Sequence, residues 1–469
     1  MKDKSYNAVM ARKNDIIKAS VGVDYTKFEL SDGRFDYEKM MTEAVPHTLE
    51  DVVKIQAGMS VGNTRLLALD NITALARKVA GSDRGARIFV KDEAMNLSGS
   101  FKARRAALSV YEAKRMGYKG VIAATSGNYG AAVACMAARM GLKCIVVQEC
   151  YDSRRVGQPE ILEKQRACEA LGAEVVQLTV GPELFYETLM LLEETGFYNA
   201  SLYSPSAIAG IETLGWEIAH QCREQIGRDP DVVMATTAGG GNITGTARGL
   251  EKAGAKSRVY AACVDLSGLH MASDRDFNRK SFTTGHTGFG VPFTVQPDRT
   301  DVPRNAARPL RYMDKFLLVK EGEVFYMTET LAALEGMERG PAGNTSLAAA
   351  FALSMTLPQD QVIVVQETEY TGAGKHPMPQ LTFARQNGVD IVVGDPETEV
   401  PGTNIVLPDH PSRFKVREYD LDAMRRSALK RLTQDRKSVN ADDLEFFKVE
   451  LNADDAFIKN ELKALGVSC

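Results

Sequence analysis

The sequence predicts an α/β protein whose parallel sheets are covered by helices on both faces. Short apolar runs rich in β-forming residues recur along the chain, and alanine- and leucine-rich stretches with helical spacing lie between many of them. Strands that alternate with helices are typical of parallel sheets enclosed by two helical layers. The runs expected to form strands are 87–91, 120–124, 144–147, 174–178, 232–235, 259–263 and 362–365.

The composition is that of a globular protein. The 469 residues are 44% hydrophobic and 25% charged, and a chain of this length is expected to form two domains with an appendage. Lysine plus arginine (57) nearly balance aspartate plus glutamate (61), and there is no concentrated basic stripe. The charge therefore gives no reason to expect nucleic acid or an anionic membrane as a partner, and a small molecule is the expected ligand.

Neither an export signal nor a metal or disulfide framework is expected. Residues 1–18 are charged and lack the apolar core of a signal peptide, and no later run has the length of a membrane span. We therefore expect a cytoplasmic protein. Its seven cysteines are scattered without a CxxC pair, so most are expected to be small buried apolar residues.

Two regions interrupt the alternation of strands and helices. Residues 265 to about 314 are rich in Gly, Pro, Asp, Arg and Phe, which predicts a long irregular excursion, a candidate lid or interface. After Val393 a proline-rich linker leads into charged helical sequence from about Leu421 to the end. This tail is expected to be a solvated helical extension, with partner docking as the alternative.

The first motif with chemical meaning places a lysine at the start of a helix. In residues 90–104 a strand runs into a turn of small residues and then into a helix, with Lys102 near the helix amino terminus. The helix dipole and partial desolvation lower the pKa of such a lysine, so that it can form a Schiff base with an aldehyde and act as a general base. Taken alone, a lysine is more often a surface residue.

A second turn between a strand and a helix, at residues 124–132, is rich in hydroxyl groups. Its backbone N–H groups and the side chains of Thr125 and Ser126 are suited to hold a carboxylate, because helix amino termini bind anions. The amide of Asn128 could be offered to a phenolate oxygen. An ordinary capped turn is the alternative for this motif by itself.

The third motif is a glycine-rich loop at the end of another apolar strand. Gly239, Gly240 and Gly241 are consecutive, which lets the backbone turn its N–H groups onto a phosphate. No Gly-Lys-Ser/Thr follows, and the spacing misses the dinucleotide pattern GxGxxG by one residue. A flexible glycine turn is the alternative.

The fourth motif follows the strand at residues 361–366. A hydroxyl at this strand end could face the pyridine nitrogen of a bound cofactor and leave that nitrogen neutral. Thr368 and Thr371 both qualify. A plain polar loop is the alternative.

In this order and spacing, the four motifs resemble those of the fold type II (tryptophan-synthase-β-like) pyridoxal-phosphate enzymes. Further similarity at 62–66, 170–175 and 210–217 extends the resemblance over about residues 60–375. It implies two open, twisted, mainly parallel sheets flanked by helices, with a C-terminal helical extension. The implied domains are a large cofactor-binding domain (1–104 and 221–395), a small domain that binds the substrate carboxylate (105–220), and a linker with the helical extension (396–469).

The resemblance also implies roles for individual residues. Lys102, in Ser100-Phe-Lys102, is implied to be the catalytic residue that holds pyridoxal 5′-phosphate. The other residues implied to bind the cofactor are Asn128, Gly239, Gly240, Gly241, Asn242, Ile243, Thr244, Thr368 and Thr371. Those implied to bind the substrate are Ser100, Thr125, Ser126, Gly127, Asn128 and Tyr129.

Two segments depart from the family pattern. Arg65 stands where many relatives have proline, and residues 339–346 replace a Glu-Pro-Ser turn. Both departures are expected to reshape the substrate pocket without removing the cofactor.

Within the family, the glycine-rich loop, residues 366–377 and the chain length are most similar to the larger subunit of a two-subunit enzyme of ornithine degradation. This similarity implies coenzyme-A-dependent thiolysis of an amino-acid substrate, a small α subunit as partner, and dimerisation. The alternative is elimination or replacement at the β or γ carbon, as in threonine synthase, cysteate synthase or diaminopropionate ammonia-lyase. A third hypothesis is a non-catalytic ligand-binding relative.

Overall fold

The computed structural model describes residues 2–30, 33–125, 127–151, 155–157, 159–179, 181, 183–265, 300–370 and 377–469. Two predicted site residues, Ser126 and Thr371, and most of the predicted excursion, 266–299, lie outside the described residues. The strands are β1 Leu66–Ala68, β2 Arg87–Asp92, β3 Gly120–Thr125, β4 Lys143–Tyr151, β5 Glu174–Thr179, β6 Tyr198–Asn199, β7 Val232–Thr236, β8 Arg258–Val264, β9 Lys315–Val319, β10 Val362–Glu367, β11 Asp390–Gly394, β12 Asn404–Pro408 and β13 Arg417–Glu418.

The α-helices of the described residues flank these strands. They are α1 Tyr6–Ala11, α2 Lys13–Val21, α3 Tyr37–Ala44, α4 Leu49–Gly58, α5 Asp70–Ala80, α6 Lys102–Arg115, α7 Asn128–Met140, α8 Pro159–Ala170, α9 Glu183–Thr195, α10 Pro205–Ile226, α11 Gly241–Lys252, α12 Pro309–Tyr312, α13 Glu321–Glu335, α14 Pro341–Ser354, α15 Pro377–Gln386, α16 Leu421–Leu432, α17 Ala441–Leu451 and α18 Asp455–Ala464.

The larger sheet has seven strands in the order β1-β2-β10-β7-β8-β9-β13. Its five central strands are parallel to one another, whereas β1 and β13 pair antiparallel at the two edges. Every residue of β10 is buried, as expected for the run Val-Ile-Val-Val in a strand covered on both faces. The predicted runs 87–91, 232–235, 259–263 and 362–365 all lie in this sheet.

The smaller sheet has four parallel strands in the order β5-β4-β3-β6. It contains the predicted runs 120–124, 144–147 and 174–178, which together with the larger sheet confirms the predicted α/β fold with two mainly parallel sheets. A separate parallel pair, β11 and β12, was not predicted.

Alternate residues of the larger sheet enter different cores. Val233 and Ala235 of β7 pack in a cluster with residues of α10 and α11. Val232 and Met234, which point to the opposite face, pack with residues of α5, α13 and α14. Period-two alternation therefore buries both faces, which explains why these strands are apolar throughout.

The C-terminal segment is helical, as predicted, but it is packed rather than solvated. Leu429, Phe447 and Leu462, from α16, α17 and α18, are completely buried in the same cluster as Val233. The segment after residue 395 also supplies β12 and β13. The domain boundaries proposed from the sequence stay a prediction.

The parallel arrangement places the predicted motifs at the carboxyl ends of strands in the two sheets. The carboxyl ends of β2, β7 and β10 lead into the lysine turn, the glycine-rich loop and the strand-end threonine, and the carboxyl end of β3 leads into the hydroxyl-rich turn. Loops at the carboxyl ends of parallel strands are where α/β proteins bind ligands. The carboxyl ends of these strands are therefore the candidate site.

The other expectations from composition concern membranes, metals and cysteines. In the described part of the chain, no helix is long and apolar enough to cross a bilayer, and no cluster of three or more His, Cys, Asp or Glu could hold a metal ion. Six of the seven cysteines are buried, and Cys469 is exposed.

Candidate active site

The lysine turn is hydrogen-bonded to the end of β10. Phe101 donates its backbone N–H to the carbonyl of Thr368 at 3.0 Å, and Tyr370 donates to the carbonyl of Gly99 at 2.7 Å. Gly99 has φ of 73°, a left-handed conformation that favours glycine. The structure thus brings the first and fourth motifs together, with Lys102 as the first residue of α6 beside the buried Thr368.

The amine of Lys102 lies in surroundings that favour its uncharged form. Its pKa is lowered to about 8, chiefly by burial; the charge of Arg105 acts in the same direction, and the carboxylate of Glu369 opposes it. The Nζ atom lies 4.8 Å from the centroid of the Phe101 ring. Because the uncharged amine is the nucleophile, this lysine is suited to bond to an aldehyde near neutral pH.

A buried ion cluster beside Lys102 was missed by the sequence reasoning. Lys164 Nζ lies 2.8 Å from a carboxylate oxygen of Glu160 and 3.6 Å from one of Glu369, and all three side chains are buried. Glu160 and Lys164 lie on α8, next to the smaller sheet, whereas Glu369 follows β10 of the larger one. The i,i+4 spacing of the first two was visible in the sequence. Their contact with Glu369 joins residues far apart in the sequence, so no local pattern predicts it.

The hydroxyl-rich turn follows β3 and lies beside this cluster. The Thr125 hydroxyl oxygen accepts the N–H of Gly127 at 3.0 Å, and α7 begins at Asn128. The first N–H groups of this helix have no intrahelical partner, so they can receive a carboxylate. A side-chain carbon on Gly127 would lie 3.6 Å from Lys164 Cδ. The Tyr129 ring, by contrast, is buried in the core of the smaller sheet.

The glycine-rich loop is too crowded for side chains. A side-chain carbon on Gly239 would overlap the Tyr203 hydroxyl, and one on Gly241 would lie 2.8 Å from Arg105 Nη2. Gly240 has φ of 82°. The absence of side chains at these glycines therefore lets Tyr203 and Arg105 lie directly against the loop and leaves its backbone N–H groups uncovered by side chains of the loop, as a phosphate-binding loop requires.

The remaining residues of the loop are buried. Ile243 packs in the core of the larger sheet, and Asn242 is also buried. The Thr244 hydroxyl donates to the carbonyl of Gly240 at 2.9 Å and accepts the N–H of Arg308 at 2.8 Å. Because these contacts occupy the Thr244 hydroxyl, the backbone N–H groups at the start of α11 are the loop's main donors for an anion.

Comparison with known proteins agrees with this arrangement. The family model described as pyridoxal-phosphate dependent enzyme matches residues 58–369, which include the lysine turn, the hydroxyl-rich turn and the glycine-rich loop. The chain belongs to the pyridoxal-phosphate dependent enzyme family. Its cofactor is pyridoxal 5′-phosphate, as the sequence predicted.

Two relatives match almost the whole chain. The chain is 62% identical over 466 residues to the 2-amino-4-ketopentanoate thiolase beta subunit of Acetoanaerobium sticklandii, with 99% of each chain covered. It is 59% identical over 469 residues to a 2-amino-4-ketopentanoate thiolase beta subunit from an unknown prokaryotic organism, again with 99% of each covered.

Solved structures share the fold type II architecture. A pyridoxal 5′-phosphate-dependent aspartate racemase superposes with a TM-score of 0.54 at 19% identity, covering 68% of this chain and 95% of that one. Serine racemase from Dictyostelium discoideum gives a TM-score of 0.51 at 21% identity, covering 69% and 98%. The predicted fold is thereby confirmed.

The site fits the cofactor of this pyridoxal-phosphate dependent enzyme. An amine with a lowered pKa lies at the end of β2, and a glycine loop with free helix N–H groups lies at the end of β7. The amine can bond to the aldehyde of pyridoxal phosphate, and the N–H groups can bind its phosphate.

Below the lysine, four buried charges form what we call the paired cluster: Lys91, Glu93, Arg104 and Glu217. Arg104 donates to both oxygens of Glu93 at 2.7 and 2.8 Å and to both oxygens of Glu217 at 2.9 and 2.8 Å. Lys91 donates to Glu217 at 2.7 Å. The cluster fixes the first turn of α6 and hence the position of Lys102. No local sequence signal pointed to it.

Glu367, at the end of β10, is a further residue that the sequence did not predict. Its side chain is completely buried, and neither carboxylate oxygen has a hydrogen-bond partner in the described part of the chain. Burial raises its pKa well above the usual range, although Arg339 opposes the shift. A side-chain carbon on Gly343 would overlap this carboxyl group. The segment that departs from the family pattern thus makes room for Glu367.

Proposed function

We propose that this chain is the β subunit of a 2-amino-4-ketopentanoate thiolase, also written 2-amino-4-oxopentanoate thiolase. The reaction is the coenzyme-A-dependent cleavage of the substrate to alanine and acetyl-CoA. The observation that carries this proposal is the 62% identity, over 99% of both chains, to a relative of that name. Similarity over the full length supports the same reaction more strongly than a shared cofactor would.

The site residues follow the sequence prediction. Lys102 is proposed to bond covalently to the cofactor aldehyde, and residues 239–244 to hold the cofactor phosphate. Thr368 and Thr371 stay the candidates for the ring nitrogen. The substrate carboxylate is proposed to bind at residues 125–129 together with Ser100.

The chain's own groups would bind the substrate and move protons. Bound pyridoxal phosphate supplies an electron sink for charge that develops at the substrate's α carbon. Lys102, when free of the aldehyde, would remove the α proton. The sulfur of coenzyme A then loses its proton and bonds to the C4 carbonyl carbon, the C3–C4 bond breaks, and C3 gains a proton in place of the one lost by the thiol. The α carbon regains the proton that Lys102 removed. The products are acetyl-CoA and alanine.

The proposed partners are coenzyme A, a small α subunit and a second copy of the chain, in the cytoplasm. The relatives' names identify them as beta subunits, which supports a partner subunit. Co-purification from the native source tests this: a small, tightly bound protein is expected, and a chain that cleaves the substrate alone would contradict it.

A turnover assay tests the reaction itself. The chain with its α subunit is mixed with 2-amino-4-ketopentanoate and coenzyme A, and alanine, acetyl-CoA and free thiol are measured. Equal amounts of alanine and acetyl-CoA, with matching loss of thiol, are expected. Release of ammonia or transfer of another nucleophile without thiol loss would support the elimination or replacement alternative instead.

A second experiment tests the cofactor lysine. Purified protein should be yellow, and borohydride reduction followed by peptide mapping should find the cofactor on Lys102. A reduced cofactor on another lysine would overturn the assignment of Lys102. A colourless protein that takes up no pyridoxal phosphate would contradict the function as a whole.

A further inference from the structure

Arg105, the residue after the paired Arg104, lies against the glycine-rich loop. Its Nη2 and Nη1 atoms are 2.8 and 3.1 Å from the position that a side-chain carbon of residue 241 would occupy. The side chain is 3% exposed and lies on α6, three residues after Lys102. The guanidinium therefore lies beside the first turn of α11, where the loop's N–H groups are found.

Arg105 is a buried cation that forms no ion pair with a carboxylate of the described residues. Nη1 donates to the carbonyl of Leu202 at 2.8 Å, while Nε has no hydrogen-bond partner among those residues. Its Cζ atom lies 5.4 and 5.8 Å from the ring centroids of Phe101 and Tyr203. Because a buried charge without a counter-charge is unfavourable, this arrangement indicates a site for an anion.

Tyr203 also lies against the glycine-rich loop. Its hydroxyl occupies the space that a side chain on Gly239 would take. A guanidinium, a phenol hydroxyl and the N–H groups of a helix start thus converge on one place. Guanidinium and backbone N–H groups together are strong ligands for a phosphoryl group.

Two molecules of the proposed reaction carry phosphoryl groups, namely pyridoxal phosphate and coenzyme A. The position of Arg105 favours the first. Residues three apart on a helix lie on the same face, and the Lys102 amine and the Arg105 guanidinium both contact the Phe101 ring, at 4.8 and 5.4 Å from its centroid. Arg105 therefore lies beside both the lysine that is proposed to bond to the cofactor aldehyde and the loop that is proposed to hold its phosphate.

We propose that Arg105 binds the 5′-phosphate of pyridoxal phosphate as a side-chain ligand, alongside the N–H groups of the glycine-rich loop, and that the Tyr203 hydroxyl lies in the same phosphate site. The inference rests on the proposed roles of Lys102 and of residues 239–244.

The test compares cofactor affinities of the full chain after its cofactor has been removed. Wild type, Arg105→Gln and Arg105→Lys are titrated with pyridoxal phosphate and with pyridoxal, which lacks the phosphate, and binding is followed by absorbance. Arg87→Gln is the matched control, because Arg87 also lies over a phenylalanine ring, 4.9 Å from that of Phe89, but at the amino end of β2. Coenzyme A and pantetheine are titrated in parallel.

Arg105→Gln is expected to weaken pyridoxal phosphate binding roughly 10- to 100-fold and to leave pyridoxal binding nearly unchanged. Arg105→Lys should recover part of the loss, and Arg87→Gln should match wild type. Inorganic phosphate should raise the melting temperature of the cofactor-free wild type more than that of Arg105→Gln, which is measurable even if that variant is less stable.

An unchanged ratio of pyridoxal phosphate to pyridoxal affinity in both Arg105 variants would overturn the proposal, and so would a loss confined to coenzyme A. Wild-type protein that binds no pyridoxal phosphate is a different outcome, because it contradicts the proposed function on which the inference rests.

Discussion

Two sets of ionisable groups around the start of α6 differ in how they are satisfied. The paired cluster joins Arg104 to two carboxylates through four hydrogen bonds, and all four of its side chains are buried. Lys102 and Arg105 on α6, and Glu367 at the end of β10, form what we call the unpaired set. None of the three forms an ion pair within 4 Å in the described part of the chain. The charges of the paired cluster satisfy one another and hold the scaffold, whereas Lys102 and Arg105 have no ion-pair partner among the described residues and are proposed to meet the cofactor.

The largest effect is expected from Lys102→Arg, which keeps the charge but removes the amine. Turnover should fall roughly 10³-fold or more, because both the covalent attachment and the proton transfer are lost. The melting temperature should change little, since Lys102 is not part of the paired cluster. Lys114→Arg, the same change at an exposed position of α6, is the control and should retain full turnover. A variant that keeps its activity would remove Lys102 from the mechanism.

For the paired cluster, by contrast, the main expected effect is a loss of stability. Arg104→Met leaves the carboxylates of Glu93 and Glu217 buried without their main partner, and should lower the free energy of unfolding by about 3–5 kcal/mol. Arg426→Met, on α16, removes an arginine whose side chain is 44% exposed and whose partner Asp420 is 59% exposed, and should cost about 0–1 kcal/mol. Urea unfolding measures both. Equal losses from the two variants would show that the paired cluster has no special role in stability.

A pH titration separates the two groups further. The pKa of Lys102 is about 8, so the rate at which cofactor-free protein bonds to the pyridoxal phosphate aldehyde should rise with pH and level off above that value. The Glu369 carboxylate raises this pKa. Glu369→Gln should therefore shift the midpoint to lower pH, and Glu338→Gln, an exposed change, should not. A midpoint that stays in place or moves upward would contradict this account of the lysine's surroundings.

The sequence predicted the strands and the four motifs because each depends on local pattern. The run Val362 to Val365 is apolar enough to indicate a strand covered on both faces, and the small residues before Lys102 indicate a turn. The paired cluster was not predictable in this way. Glu217 lies more than a hundred residues from Arg104 in sequence, and their contact appears only after α10 packs on α6.

Arg105, only three residues after the predicted lysine, could not be assigned from local pattern either. Arg104 and Arg105 are chemically identical neighbours in the sequence, and helix geometry points them in different directions. One meets two carboxylates and the other meets a loop that begins more than 130 residues later. Which arginine stabilises the fold and which faces the cofactor site depends on packing that no short motif encodes.

The smallest effect is expected from Glu367→Gln. Burial raises the pKa of Glu367 well above its usual range, which favours the neutral carboxyl at acidic pH, and glutamine is a neutral group of similar shape. At pH 5 the free energy of unfolding should change by less than about 1 kcal/mol.

The pH dependence of the free energy of unfolding tests whether the pKa of Glu367 is raised. A carboxyl whose pKa is raised on folding contributes stability below its unfolded pKa, and that contribution is lost as pH rises toward its folded pKa. Wild type should therefore lose stability relative to Glu367→Gln between pH 5 and pH 8, whereas the exposed change Glu338→Gln should show no such trend. If wild type instead gains stability relative to Glu367→Gln as pH rises, Glu367 is ionised in the folded protein. It would then have a charged partner, like the residues of the paired cluster.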